Sequence, residues 1–215
     1  MQTAISKLRD FFNTGATLPT SARISSLKSL KQEILRRESD ISDALAADLG
    51  KSAFESYMTE IGIAITEINY AIKHLPRWVK PRRRRTPITL FPGRSRILYE
   101  PFGVALIMSP WNYPFNLTIA PLAACIAAGN CAVIKPSAYS PHSSRILSEI
   151  IAAALPNTAA VITGGREQNA ALLDQKFDFI HFTGSASVGR LVLSKAAANL
   201  TPVTLELGGK SPCII

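Results

Sequence analysis

The stretch Val104-Ala105-Leu106-Ile107-Met108-Ser109-Pro110-Trp111-Asn112-Tyr113-Pro114 decides the reading of this chain. Five apolar residues run without a polar break and then stop at a loop that two prolines stiffen. A strand that alternates between core and solvent shows a polar residue every second position; this one does not, so it belongs to a sheet covered on both faces. Four further runs have the same texture: Cys131–Ile134, Ala159–Ile162, Phe177–Phe182 and Val203–Leu207. Helical or turn-rich segments separate them. Apolar strands alternating with helices predict an α/β unit with a parallel sheet and helices on both faces, here over residues 102–210. In such sheets ligands bind beyond the carboxyl ends of the strands, which makes the strand-end segments the places to look for chemistry.

Upstream the texture changes. Residues 1–79 read as a helical lead-in. Leu27, Leu30, Ile34, Ile41 and Leu45 fall on one stripe of a single helix, and Gly50 stands where a left-handed cap is wanted. Ser52 with Glu55 forms a capping box for the next helix. Phe54, Met58, Ile61, Ile65, Ile68 and Ile72 form its apolar face, and Pro76 ends it. Residues 80–101 form a basic linker followed by two short strands, Thr86–Leu90 and Ser95–Tyr99. They flank the Pro92-Gly93 turn and predict a hairpin of the kind that serves assembly.

Composition sets bounds on function. Of the 215 residues 47% are hydrophobic and 18% charged, which is enough apolar material for a packed core. Five of the nine net positive charges come from Lys80, Arg82, Arg83, Arg84 and Arg85. No interleaved aromatics accompany that run, so it is read as a solvated linker with no nucleic-acid partner. The longest mostly apolar run, Leu117 to Ala128, is too short for a membrane span. No secretory signal is visible. Cys125, Cys131 and Cys213 are odd in number and show no metal-ligand spacing, so no metal is expected; reduced thiols point to a cytoplasmic protein. His74, His142 and His181 lie far apart and read as core or surface residues.

Four of the five strand ends carry a segment capable of chemistry. Asn112, in the loop after the first strand, is a carboxamide donor able to stabilise an oxyanion, or a plain turn asparagine. Lys135, opening Lys135-Pro136-Ser137, can reach a ribose or phosphate, or simply be solvated. Phe182-Thr183-Gly184-Ser185 leads into a helix that contains Gly189. Its glycines allow close backbone approach, and a helix start offers free N–H groups to a diphosphate. Ser185 or Ser187 equally suits a helix cap. Glu206, in Leu205-Glu206-Leu207-Gly208-Gly209-Lys210, leaves an apolar strand; burial there would suit it as a general base, and a structural ion pair is the alternative.

Taken together and in this order, Pro110-Trp111-Asn112-Tyr113-Pro114, Ile134-Lys135-Pro136-Ser137, Phe182-Thr183-Gly184-Ser185 and Leu205 to Lys210 closely resemble the aldehyde dehydrogenase superfamily. The short lead-in and the Thr86 to Gly103 stretch look most like its class 3, or fatty-aldehyde, branch. The resemblance covers essentially the whole chain and implies a Rossmann-like domain that binds NAD or NADP. It implies an oxyanion-hole role for Asn112 and a water-activating general base in Glu206. Lys135 would contact the adenosine ribose, Gly184, Ser185 and Gly189 the diphosphate, with Pro110 and Trp111 also lining the cofactor site. The substrate would be a small-molecule aldehyde, and the complete enzyme a homodimer.

Two departures qualify the resemblance. Many relatives carry a glutamate after the Lys-Pro-Ser, where this chain has Ala138; loss of that carboxylate removes a repulsion against a 2′-phosphate and leaves NADP use open. The family's nucleophilic cysteine lies farther along, in a second domain, of which residues 211–215 would be only the start. The expectation is therefore a truncated portion, inactive alone. The alternative is a non-catalytic nucleotide-binding or assembly module. CoA-forming relatives need no water-activating base, so Glu206 speaks against that branch.

Overall fold

Five of the apolar runs form one parallel sheet in the computed structural model, which describes residues 1–214. Its strands are β3 (Val104–Met108), β4 (Cys131–Lys135), β5 (Ala159–Val161), β6 (Phe179–Gly184) and β7 (Val203–Leu207), in spatial order β5-β4-β3-β6-β7. Leu106 of the central strand pairs with Val133 on one side and Ile180 on the other. All five residues of β3 and all five of β4 are buried, as the apolar runs Val104–Met108 and Cys131–Ile134 require, and Lys135 at the end of β4 is buried with them. Three runs have bounds other than those read: β4 runs on to Lys135, β5 stops at Val161, and β6 spans Phe179–Gly184 with Phe177 a core residue ahead of it.

Helices cover both faces. On one side α2 (Thr20–Arg36), α3 (Glu38–Leu49), α5 (Gly62–Trp78), α6 (Asn116–Ala127) and α7 (Pro141–Ala154) share a core with Ile107, Ala132 and Ile134. On the other, α1 (Gln2–Asn13), α8 (Arg166–Leu173) and α9 (Ala186–Ala197) pack on Val104, Leu106, Met108, Cys131 and Val133. Successive strand side chains thus go to opposite layers, the period of two that a pleated strand imposes. The helical lead-in shares its core with the sheet, with α1 placed on the face opposite α2, α3 and α5. No helix among the described residues is long and apolar enough to cross a membrane.

Three local expectations are corrected. The stripe from Leu27 to Leu45 is carried by two helices, because Arg37 leaves helical geometry at φ −112°, ψ 24°. Its guanidinium is tied to Asp40 at 2.9 Å and to Glu149 of α7 at 2.6 Å. Glu38 and Asp40 then fall in the first turn of the new helix, where the dipole favours anions. All five apolar side chains of the stripe stay buried. Gly50 does adopt the left-handed cap, at φ 68°.

The second correction bears on the site. After α4 (Ala53–Ser56), capped by Ser52 Oγ accepting from the Glu55 N–H at 3.2 Å, residues Tyr57–Ile61 form one π turn. A π turn holds one residue more than an α turn, which rotates the downstream face by roughly 100°. Phe54 and Met58 consequently stand 77% and 55% exposed, whereas Ile61, Ala64, Ile68 and Leu75 are buried. The same rotation brings Ser56 and Glu60 into the interior. Pro76 does not end α5, which runs on to Trp78.

The third concerns the hairpin. Its strands are β1 (Arg82–Arg84) and β2 (Ser95–Ile97), antiparallel, with Arg83 opposite Arg96. The basic run is therefore itself a strand and no linker. Thr86–Leu90 contains a 3-10 turn at Ile88–Leu90, since Pro87 has no N–H to give to a ladder. Thr86 closes the ribbon by accepting from the Ser95 N–H at 2.8 Å.

Candidate functional site

Strand order reverses at β3: the chain moves to β4 and β5 on one side, then crosses back to β6 and β7 on the other. Such a reversal leaves a crevice beyond the carboxyl ends of the central strands. Here it is a cleft of about 720 Å³ whose lining includes Pro110, Trp111, Asn112, Gly184, Ser185 and Glu206. These six come from three strand ends, and each was singled out in the sequence. Two expected site residues lie elsewhere. Lys135 is buried, its Nζ donating to the Pro136 carbonyl at 2.7 Å, and that burial lowers its pKa. Gly189 sits within α9 where an added Cβ would stand 2.9 Å from Leu207 Cδ2, so its smallness lets the helix approach β7.

The Asn112 loop is held from several directions. Ser109 Oγ lies 2.6 Å from Thr118 Oγ1, which in turn donates to the Pro114 carbonyl at 2.7 Å. Glu60, wholly buried, accepts through one carboxylate oxygen from the N–H groups of Phe115 and Asn116, both at 2.9 Å. These are orphan donors at the start of α6, and a carboxylate there also meets the positive end of the helix dipole. The other oxygen of Glu60 accepts from Lys51 Nζ at 2.6 Å. Lys51 also donates to the Asn112 carbonyl at 3.4 Å and lies 4.1 Å from the centre of the Tyr113 ring. Sequence reasoning missed this pair. A glutamate beside Ile61 looks like the polar edge of a helix until the π turn rotates it inward.

On the opposite wall Ser185 caps α9, its Oγ accepting from the Val188 N–H at 3.4 Å and lying 3.0 Å from Ser187 Oγ. Gly184 is confined: an added Cβ would stand 2.6 Å from Cζ of Phe182. Glu206 lies opposite Thr183 in the β6–β7 register. Burial, which would have suited it as a base, is not found, because β7 is the edge strand and its end is exposed; nor does Glu206 form an ion pair among the described residues.

His181, which the sequence reads as a core or surface residue, also lines the cleft. Its Nε2 is 3.3 Å from Thr183 Oγ1. Burial pushes its pKa below the usual 6.5, and the Glu206 carboxylate partly opposes this. The unfolded chain therefore takes up this proton first as pH falls below about 6.5, and stability contributed by neutral His181 is lost in that direction. His181→Gln is expected to flatten the fall in denaturation midpoint between neutral pH and the window below 6.5. An unchanged pH profile in that variant would contradict the assignment.

The cysteines offer no activated nucleophile in this cleft. Burial pushes the Cys125 thiol up to about 12 and the Cys131 thiol to about 11, far from the thiolate that nucleophilic chemistry requires. Cys213 is exposed in the tail beyond β7.

Comparison with known proteins places this arrangement. The family model described as "Aldehyde dehydrogenase family" matches residues 1–215. Aldehyde dehydrogenase family 3 member B2 of Mus musculus is 45% identical over 215 residues, all of this chain and 45% of its own length. A solved structure described as the substrate-bound state of Staphylococcus aureus AldH superposes with a TM-score of 0.95 at 45% identity, over 98% of this chain and 46% of that one. A Mycobacterium tuberculosis aldehyde dehydrogenase complexed with NAD+ gives a TM-score of 0.86 at 30% identity, over 96% and 43%. The chain thus spans less than half the length of the relatives it matches. With that family model matching the chain from end to end, the chain belongs to the aldehyde dehydrogenase family.

Proposed function

We propose that this chain supplies the cofactor-binding and oxyanion-stabilising side of an NAD(P)-dependent enzyme that oxidises an aldehyde to a carboxylic acid. The observation that carries the reading is the convergence of Asn112, Gly184, Ser185 and Glu206 on one cleft at the reversal of strand order. A dinucleotide fits the residues present. The exposed first turn of α9 offers a diphosphate N–H groups that have no partner within the helix, and Gly184, which lines the cleft ahead of it, leaves the Phe182 ring its place. When bound, the nicotinamide supplies the hydride acceptor.

The chain's own residues then have separate tasks. The Asn112 carboxamide donates to the oxygen that gains charge when a nucleophile adds to the aldehyde carbon. Pro110 and Trp111 wall the cleft beside it. Glu206, exposed at the opposite side, takes a proton from the water that cleaves the acyl intermediate. Lys135 serves the adenosine end once its ammonium leaves the Pro136 carbonyl. The attacking thiolate must come from outside this cleft, since Cys125 and Cys131 are held protonated. The sheet with its strand-end loops, residues 102–210, is the cofactor domain in this reading. Dimerisation through the β1–β2 ribbon is supported by its exposed Ile88, Phe91 and Leu98, and a cytoplasmic setting by the three unpaired cysteines.

Calorimetric titration tests the proposal. The chain is expected to bind both NAD and NADP, because Ala138 offers neither a carboxylate for the 2′-hydroxyl nor a charge against the 2′-phosphate. Added aldehyde is expected to produce no NAD(P)H absorbance. Gly184→Val, whose side chain collides with the Phe182 ring, is expected to weaken binding by at least about tenfold, or roughly 1.4 kcal/mol. Failure of the wild-type chain to bind either dinucleotide would sink the reading.

A further inference from the structure

We propose that Lys51 and Glu60 are positioning residues for Asn112: a buried ion pair in the helical lead-in that sets where the carboxamide loop stands. The inference rests on the oxyanion role given to Asn112 above, but its geometry is independent of it. Burying two charges is costly, and an ion pair whose only task is cohesion is often no better than two apolar side chains. Glu60 is 0% exposed and Lys51 8%. Neither is spent on cohesion alone. Besides each other, their recorded partners are the Phe115 N–H, the Asn116 N–H and the Asn112 carbonyl, all within residues 112–116, together with the face of the Tyr113 ring.

The arrangement acts at both ends of the loop's second half. Glu60 fixes where α6 begins, through two N–H groups on consecutive residues, which sets direction as well as distance. Lys51 meets the backbone of Asn112 itself, three residues earlier. Two anchors on so short a segment leave the carboxamide little freedom to swing. Catalytic groups need such support, since loops left unsupported by buried partners are placed too loosely for directed hydrogen bonds. The π turn at Tyr57–Ile61 belongs to the same device, since it rotates Glu60 from the helix edge to the interior.

Nitrogen–proton correlation spectra of the 215-residue chain test this. Two probes suffice: the Asn112 side-chain amide and the Trp111 indole N–H, assigned by their loss in Asn112→Asp and Trp111→Phe. Trp78, the second tryptophan, is an internal reference. Lys51→Met and Glu60→Gln are expected to shift or broaden both probes while leaving the Trp78 indole in place. Lys51→Arg, which keeps the charge and donor, is expected to hold them near their wild-type positions. Ile68→Ala is the control: it weakens the same helix core without removing a polar partner of the loop and is expected to leave both probes alone. If Glu60→Gln does not fold, the contrast between Lys51→Met and Lys51→Arg carries the test. Probes unmoved in Lys51→Met, or moved equally by Ile68→Ala, would overturn the proposal. Cofactor titration of the wild-type chain judges the functional reading separately, because the spectra report loop position with no ligand present.

Discussion

Gly103→Ala is expected to lower the stability of the chain by about 3–5 kcal/mol, although it adds a single methyl group. Gly103 has φ +139°, a region that L side chains rarely adopt. An added Cβ would stand 2.3 Å from Asp178 Oδ2. That carboxylate cannot simply turn away: it accepts from the Val104 N–H at 2.8 Å and pairs with Arg9 at 2.8 Å. Backbone strain alone costs about 1–3 kcal/mol, and loss of a charge-assisted hydrogen bond about 1.5–3 kcal/mol. The Arg9 pair is partly exposed and adds less. Gly103 also accepts from the Cys131 N–H and donates to Asn130 Oδ1, both at 3.0 Å, so its displacement would disturb the lower end of β3 and β4 together. Denaturant titration followed by circular dichroism should show a lower midpoint with an unchanged slope. A loss below about 1 kcal/mol would mean that the segment relaxes without straining, contrary to this account.

Glu60→Ala is expected to have an effect at least as large. Removing one partner of a buried pair costs about 3–5 kcal/mol, because the surviving charge is left without a counter-ion. Here the survivor is Lys51, and the Phe115 and Asn116 N–H groups lose their acceptor at the same time. Each orphaned donor carries a further penalty of about 1–3 kcal/mol, moderated by water that enters the space left behind. The total approaches the whole stability of an ordinary domain, about 5–15 kcal/mol. The variant is therefore expected to be largely unfolded at 25 °C or to melt far below the wild type in a thermal scan. Glu33→Ala supplies the comparison: Glu33 pairs with a mostly exposed Arg36 on the surface of α2, and surface pairs of this kind contribute about 0–1 kcal/mol. Equal losses in the two variants would show that Glu60 is not held as described.

Much of the cofactor half was legible in the residues. Val104–Met108 and Val203–Leu207 are strands with the bounds read from their apolar runs, and six of the eight expected site residues share one cleft. The reason is physical: a strand buried on both faces is built mainly from apolar residues, and the loops at the carboxyl ends of β3, β6 and β7 open on the crevice, whereas Lys135 at the end of β4 does not. The failures share a cause of the opposite kind. Helical stripes were read as though each ran on uninterrupted. Arg37 divides one into α2 and α3, and the π turn shifts the phase of the next, so that Phe54 and Met58 emerge and Glu60 turns in. The ribbon was placed on the apolar stretch, yet its strand is Arg82–Arg84, where no proline interrupts the ladder.

By itself, then, the sequence determined the class of fold and the order of its strands along the chain, because these follow from local periodicity and from residue type. Only the tertiary structure decided which strand ends meet at the reversal beside β3, that Glu206 stands on an exposed edge, and that His181 shares the cleft. It alone joined Lys51 and Glu60 to a loop more than fifty residues away in sequence. Such pairings depend on how helices from the lead-in pack against the sheet, and no local pattern of residues encodes which buried charge will find which orphaned backbone group.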